Sequence, residues 1–432
     1  MQEDNSLAEK ILTELESIIY IDDNLTQFDI IPVLENNTNR SPVLYEEHSL
    51  GLEMWCVKHV YAHIHSYLLN IRKKLKLHLS HSDIRRINKL LLGGVLLQPD
   101  VSTFWNMRRD LIEMNLITMD KELLITKLVL SYKFKSNEAF SHRKWVVKRI
   151  LKNVPAWNTD DIIRLIAQEL LVAKMACQKE NNNYHAWTYK LWWIENVSDL
   201  TLKSTIAKRE LDSSLTMVFF NVSAHSGFHY RQRLLLVVHA CVPENDSYFK
   251  RFKQFLLNYL HFTNDSIDLL LPFLLEDTIP KSPNDYLNLF SLLLFDLLHT
   301  CCEINKHYPG HEAVWYHRRF LVHTLLETLY KAFNLDWVRD VKIADEGLDE
   351  STNIVNVPSG MLPDKLQENG EKYPKLFKAG RRIVEDTFLY KLILKTETDF
   401  VSNGILHSNP VQCELAQRHT KWLKNLMKIE IC

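Results

Sequence analysis

His59, His63 and His65 most invite a metal ion, because His59 and His63 stand four apart and share one face of a helix. Position 60 is Val60, so the H-E-x-x-H motif is absent, and no third ligand accompanies the pair. They read as surface or interface histidines. Asp160 and Asp161 offer two of the carboxylates a magnesium–diphosphate site needs, but Arg164 stands where a third would fall. That pair reads instead as the start of a helix, with negative charge at the positive end of the dipole. Seven cysteines (Cys56, Cys177, Cys241, Cys301, Cys302, Cys413 and Cys432) form no C-x-x-C pair, as expected of reduced thiols in a core. Cys432 is the last residue and cannot open a C-a-a-X box. Neither G-x-S-x-G nor a glycine-rich phosphate loop occurs. Taken alone, the chain carries no visible catalytic apparatus.

The elements that would position such residues are repeats. An aromatic residue, a basic one three later and an aliphatic four further on recur as Trp105/Arg108/Ile112, Phe140/Arg143/Val147, Trp187/Lys190/Ile194, Phe228/Arg231/Leu235 and Trp315/Arg318/Val322. Trp55/Lys58 forms a degenerate earlier copy with Ala62 in the aliphatic place. The aromatics are 35, 47, 41 and 87 residues apart, the last interval implying an inserted or eroded unit between Cys241 and Thr300. These offsets put the three residues on one helical stripe. Asp100, Ser136 and Asn183 stand as N-caps before the first three copies, and Ser223 and His311 fit that role less well. A second amphipathic segment precedes each copy, at about 83–98, 119–134, 160–179, 200–220 and 285–307. The unit is therefore helix A, short turn, helix B. One hairpin cannot bury both faces, so the pattern predicts an all-α chain: a right-handed α-α superhelix, a crescent-shaped solenoid of stacked hairpins. His142, His185, His229 and His317 recur beside the basic residue or the aromatic, which suits hydrogen bonding between layers first and substrate contact second.

Composition agrees. The 432 residues include only 10 glycines and 13 prolines, which argues against β-rich folds with their frequent turns. With 52 Lys and Arg against 53 Asp and Glu, the net charge of −1 offers no basic field to nucleic acid. The most apolar run, Leu287 to Cys302, is interrupted by Asn288, Ser291 and Asp296, as in a buried helix rather than a membrane span. Met1 to Glu16 lacks the apolar region of a signal peptide, so a soluble, cytoplasmic chain is expected. The expected organisation is an N-terminal helical segment (1–80), the repeats (81–335, with an insertion at about 241–284), a flexible insertion (336–376) and C-terminal capping helices (377–432).

The repeat resembles that of protein prenyltransferase alpha subunits, and Asn182-Asn183-Tyr184-His185-Ala186-Trp187 is similar to the family's KNYHAW signature. Asn39-Arg40-Ser41-Pro42 with Trp55 to Lys58, His225 to Gln232, and Tyr308 to Glu312 with Trp315, His317, Arg318 and Arg319 resemble its repeat-containing subgroup, alpha subunits of a type III geranylgeranyltransferase. The resemblance spans about residues 30–325 and returns at His419–Leu426. It implies a non-catalytic alpha subunit that scaffolds a beta subunit, most closely that of Rab geranylgeranyltransferase, which carries the zinc. No cofactor is expected in this chain. The prenyl diphosphate would lie at the shared interface, and a cysteine-containing protein such as a farnesylated SNARE of the Golgi pathway would accept the lipid. The family lysine that approaches the diphosphate is Asn182 here, which brings a hydrogen bond but no charge. Lys179 is the nearby substitute, Tyr184 and His185 would also face the shared site, and His229, Tyr230 and Arg231 would meet the beta subunit or substrate. A helical-repeat scaffold that binds a partner protein without prenyl transfer is the alternative reading.

Overall fold

The computed structural model describes residues 2–35, 39–71, 80–119, 121–153, 159–260, 283–332, 384–427 and 429. The expected insertion at 336–376 lies outside them, as does 261–282 of the expected insertion at 241–284. Among the described residues the protein is all-α apart from one small sheet, and the chain forms two compact units, residues 1–196 and 197–432.

In the first unit, α1 (Gln2–Ile21) and α2 (Met54–Ile71) pack on α3 (His81–Leu97). Three hairpins follow: α3 with α4 (Ser102–Glu113), α5 (Glu122–Tyr132) with α6 (Asn137–Asn153), and α7 (Thr159–Lys179) with α8 (Tyr184–Asn196). The A helices stack as α3, α5, α7 and the B helices as α4, α6, α8, so each hairpin covers the apolar face of the one before. Trp105 is the wedge between layers: its side chain is fully buried, and its indole donates to the Pro99 carbonyl at 2.6 Å. Trp187 repeats the contact with Asn181, at 2.8 Å.

A three-stranded sheet stands where composition suggested only helix. Strands β1 (Gln27–Ile31), β2 (Val43–Glu46) and β3 (Ser49–Glu53) are ordered β1-β3-β2, parallel then antiparallel. Glycine scarcity did not exclude it, because Glu47 (φ 43°) and His48 (φ 63°) take the left-handed turn that glycine usually supplies. Asp22 offsets the strain, accepting from His48 Nδ1 at 2.8 Å and from the Tyr45 hydroxyl at 2.9 Å. Ser131 of α5 receives the Phe28 amide at 2.9 Å, which ties the sheet to the repeats.

The second unit contains α9 (Leu200–Phe220) with α10 (His225–Cys241), then a 3-10 turn (Ser247–Phe249) and α11 (Lys250–Tyr259). Next, α12 (Pro283–Phe295) runs through a π-helical turn (Asp296–Thr300) into α13 (Cys301–His307) and pairs with α14 (Glu312–Ala332). The closing hairpin is α15 (Phe388–Ile405) with α16 (Pro410–Leu426), and the B helices stack as α10, α14, α16. It packs Phe400, Leu415 and Ala416 on Trp315. The stretch Tyr286–His307 is long and apolar enough to cross a membrane, yet 78% of its most apolar window is buried inside the protein.

Caps follow the expectation in part. Ser136 Oγ accepts from Ala139 N at 3.4 Å and Asn183 Oδ1 from Ala186 N at 3.2 Å. Asp100 does not cap: Val101 holds the N-cap position of α4 without a side-chain bond. Ala224 does the same for α10, while Ser223 Oγ lies 2.7 Å from His311 Nδ1.

Candidate functional site

The basic residue of each repeat is buried, so it needs an anion. Arg108 of α4 reaches Glu122 of α5, with Nε 3.1 Å from Oε2 and Nη2 on Oε1. His142 of α6 shares that carboxylate, its Nε2 2.9 Å from Oε2. Arg143 meets Glu169 of α7 through Nε and Nη2, both at 2.6 Å, and the Tyr189 hydroxyl takes the histidine's place at 2.5 Å. In the second unit Arg231, Asp296 and His317 form the same group, with 2.7 Å from Nε to the carboxylate and 3.0 Å to His317. Arg318, Glu397 and His419 form another, at 3.2 and 2.7 Å. Tyr230 likewise donates to Glu210 at 2.7 Å. Nη1 of each arginine turns back to helix A of its own hairpin: Arg143 to Leu123 O, Arg231 to Leu211 O and Arg318 to Leu297 O.

The carboxylates are the residues that sequence reasoning missed. Each precedes its histidine or tyrosine by a near-constant interval: 20 residues for Glu122, Glu169 and Glu210, 21 for Asp296 and 22 for Glu397. An acidic residue in an apolar helix A, about 20 residues before the aromatic–basic pair of the same hairpin, was the available signal. The π-helical turn at Asp296–Thr300 accommodates the one-residue excess in the Asp296 copy.

Burial opposes ionisation of Glu122, but Arg108 beside it and the His142 hydrogen bond hold its carboxyl down at about 2. Asp296 and Glu397 are lowered in the same way, against burial, chiefly by Arg231 and Arg318. Burial pushes His142, His317 and His419 below the usual imidazole value despite these carboxylates. Each of the three histidine-containing groups is thus an ionised carboxylate, a charged arginine and a neutral imidazole. Arg109 Nε donates to His142 Nδ1 at 3.3 Å, which suits the tautomer protonated at Nε2. Such groups set the register of stacked helices; they are enclosed and accept no substrate.

The predicted residues near the signature share one turn. Lys179 Nζ donates to the Ser131 carbonyl at 2.6 Å, Asn183 Nδ2 to the Phe134 carbonyl at 2.6 Å, and Lys135 pairs with Glu180 at 2.9 Å. The α7–α8 turn is thereby bolted to the α5–α6 turn. On it Asn182 is exposed, Tyr184 is 66% exposed, and half-buried His185 meets the Tyr184 ring edge to face, with centroids 5.7 Å apart. An ammonium, a carboxamide and an imidazole on a fixed turn can donate hydrogen bonds to an anion. No nucleophile is held beside a base there.

His229, Tyr230 and Arg231 belong to α10 in the second unit, and two of them depart from expectation. His229 is exposed, but Tyr230 and Arg231 are buried and committed to Glu210 and Asp296, so they cannot present their side chains at an interface. A buried guanidinium is stable only when paired, and Asp296 is its partner. His59 and His65 are exposed, and His63 lies 3.1 Å from Glu9. Among the described residues no group of three His, Cys, Asp or Glu side chains could hold a metal. Asp160 and Asp161 do occupy the first turn of α7. Cys56, Cys177 and Cys301 are buried, and burial raises the Cys56 thiol to about 12, which leaves it unreactive.

The profile of the family described as protein prenyltransferase alpha subunit repeat matches residues 119–150, 166–197 and 294–325. These segments fall on α5–α6, α7–α8 and the α12–α14 region. Protein prenyltransferase alpha subunit repeat-containing protein 1 of Danio rerio is 26% identical over 452 aligned residues, covering 99% of this chain and 98% of the relative. The 1-B protein of that name in Xenopus laevis is 31% identical over 341 residues, 74% of each chain. Geranylgeranyl transferase type-2 subunit alpha of Saccharomyces cerevisiae is 29% identical over 143 residues, 32% of this chain and 41% of that one.

Proposed function

Because the chain belongs to the protein prenyltransferase alpha subunit repeat family, we propose that it is the non-catalytic alpha subunit of a cytoplasmic, heterodimeric protein geranylgeranyltransferase. The observation that carries this reading is the α7–α8 turn, where Tyr184 and His185 stand exposed or half-exposed on a loop anchored through Lys179 and Asn183. A rigid donor cluster of this kind suits an anion held by two proteins. The beta subunit would be that of Rab geranylgeranyltransferase, and a zinc ion in it would activate the acceptor cysteine thiolate. Within this chain, Asn182 and His185 would donate to the departing diphosphate, with Lys179 adding charge from the same turn. Exposed His229 would lie at the beta-subunit or substrate interface. Acceptors would include a farnesylated SNARE of the Golgi pathway. Asn182, which has no charge, also favours a second reading, a partner-binding scaffold without prenyl transfer.

Co-expression with the beta subunit separates the two. A stable heterodimer that transfers labelled geranylgeranyl to a cysteine protein is expected. Lys179→Ala should slow transfer roughly ten-fold, the worth of one charge-assisted hydrogen bond, and Asn182→Lys should raise it. Failure to pair with any beta subunit would sink the proposal, and unchanged transfer in Lys179→Ala removes that residue from the site.

A further inference from the structure

A second surface lies on the B helices of the first unit, about two turns along α8 from His185. Two half-buried tryptophans are set there among cations. Lys144 Nζ stands 4.7 Å and Lys148 Nζ 5.6 Å from the Trp192 ring centroid. One repeat earlier, the guanidinium of Arg149 lies 5.3 Å from the Trp145 ring and that of Arg109 5.8 Å from it. Packing of lysine stems on an indole is ordinary. Convergence of two ammonium groups on one indole is not, since like charges at i and i+4 repel along a helix.

Neither lysine has an ion-pair partner among the described residues. Glu195 is close enough to favour the charge of Lys144, while burial and Lys148 oppose it. Arg149 has only a long contact with Glu113, 3.5 Å between exposed groups. In the second unit Arg319 likewise lies 5.8 Å from the Trp422 ring, and there Arg418 beside it pairs with Glu312 at 2.8 Å. The first unit thus holds a local excess of positive charge, pre-oriented by aromatic faces, in a chain whose net charge is −1. Arginine and tryptophan are also the residues that dominate protein interfaces.

We infer that this face of α4, α6 and α8 docks an acidic segment of a partner protein, with carboxylates received by Lys144, Lys148 and Arg149 and an apolar side chain laid on Trp192. Charge complementarity selects the occupant. Three helices at roughly 8–10 Å spacing make a strip about 20 Å long, which matches some six residues of extended chain. A nucleic acid would need a longer basic track than this balanced chain provides.

The test is fluorescence anisotropy with the full-length chain and a labelled twelve-residue peptide of glutamates and two leucines. Binding should weaken as salt rises from about 0.05 to about 0.3 M. Lys144→Glu with Lys148→Glu should weaken it at least ten-fold, and Lys144→Arg with Lys148→Arg should preserve it. Thermal melting checks the fold. If the reversed pair does not fold, Lys144→Gln with Lys148→Gln serves instead, with a loss of several-fold expected. Equal affinity of wild type and the folded variant would overturn the proposal. So would tighter, lysine-dependent binding to phosphatidylserine vesicles or duplex DNA than to the peptide. None of these outcomes depends on prenyl transfer.

Discussion

The unit of organisation is a single buried carboxylate. Glu122 is 1% exposed and so is Arg108, and each is tolerable only because of the other. Glu122→Ala should therefore destabilise the protein by about 3–5 kcal/mol, since it strands a buried guanidinium and removes the acceptor of His142. Urea unfolding measures this, and a loss below about 1 kcal/mol would show that water reaches Arg108. Arg108→Met with Glu122→Leu should recover most of the loss, because no unpaired charge remains. The arginines were legible in sequence through their constant offset from the aromatic. Their partners were not, because the anion comes from the next hairpin, 14 residues on for Arg108 but 65 for Arg231. A variable loop separates the two, so no fixed spacing announces the pair.

At the scale of the element, helix A and helix B were readable because stripe periodicity is local. The predicted 160–179 and 200–220 match α7 (Thr159–Lys179) and α9 (Leu200–Phe220) closely. Turn geometry was less readable. Gly310 has φ +89°, and a Cβ there would stand 3.1 Å from Asn409 Nδ2. Gly310→Ala should cost about 1 kcal/mol or more through backbone strain alone. Gly404 has ordinary backbone but no room: a Cβ would lie 2.8 Å from that of Ala416 and 3.3 Å from the Trp315 ring. Gly404→Ala should cost about 1–3 kcal/mol by overpacking, and melting curves would rank the two. Gly227, by contrast, lies within the first turn of α10. The sheet was missed for a related reason. Its hairpin turn uses Glu47 and His48, whose strain Asp22 offsets from a distant helix end.

Across the whole molecule, the recurrence of one group predicts how stability responds to acid. The unfolded chain protonates its histidines below about 6.5, whereas His142, His317 and His419 stay neutral in the fold because burial lowers them. The unfolded state then binds more protons, so stability falls as pH drops through that region. A second loss should begin below about 4.3, where unfolded glutamates protonate, and continue towards the folded value of about 2 for Glu122. Melting temperature against pH should show both steps, and His419→Gln should flatten the first. A flat profile between pH 7 and pH 5 would mean these imidazoles titrate in the fold as they do in the unfolded chain, and stability rising as pH falls would mean they are charged in the fold. Trp105→Ala should cost about 3–5 kcal/mol at any pH as a cavity in the core.

The hairpin repeat, its helical class and its family followed from order along the chain, because periodicity, caps and the aromatic–basic offset act within one or two turns of helix. Burial followed from folding. Tyr230 and Arg231 look in sequence like neighbours of exposed His229, yet the helix turns them inward to Glu210 and Asp296. Which side of a helix meets water, and which carboxylate meets which arginine, depend on contacts between residues far apart in the chain.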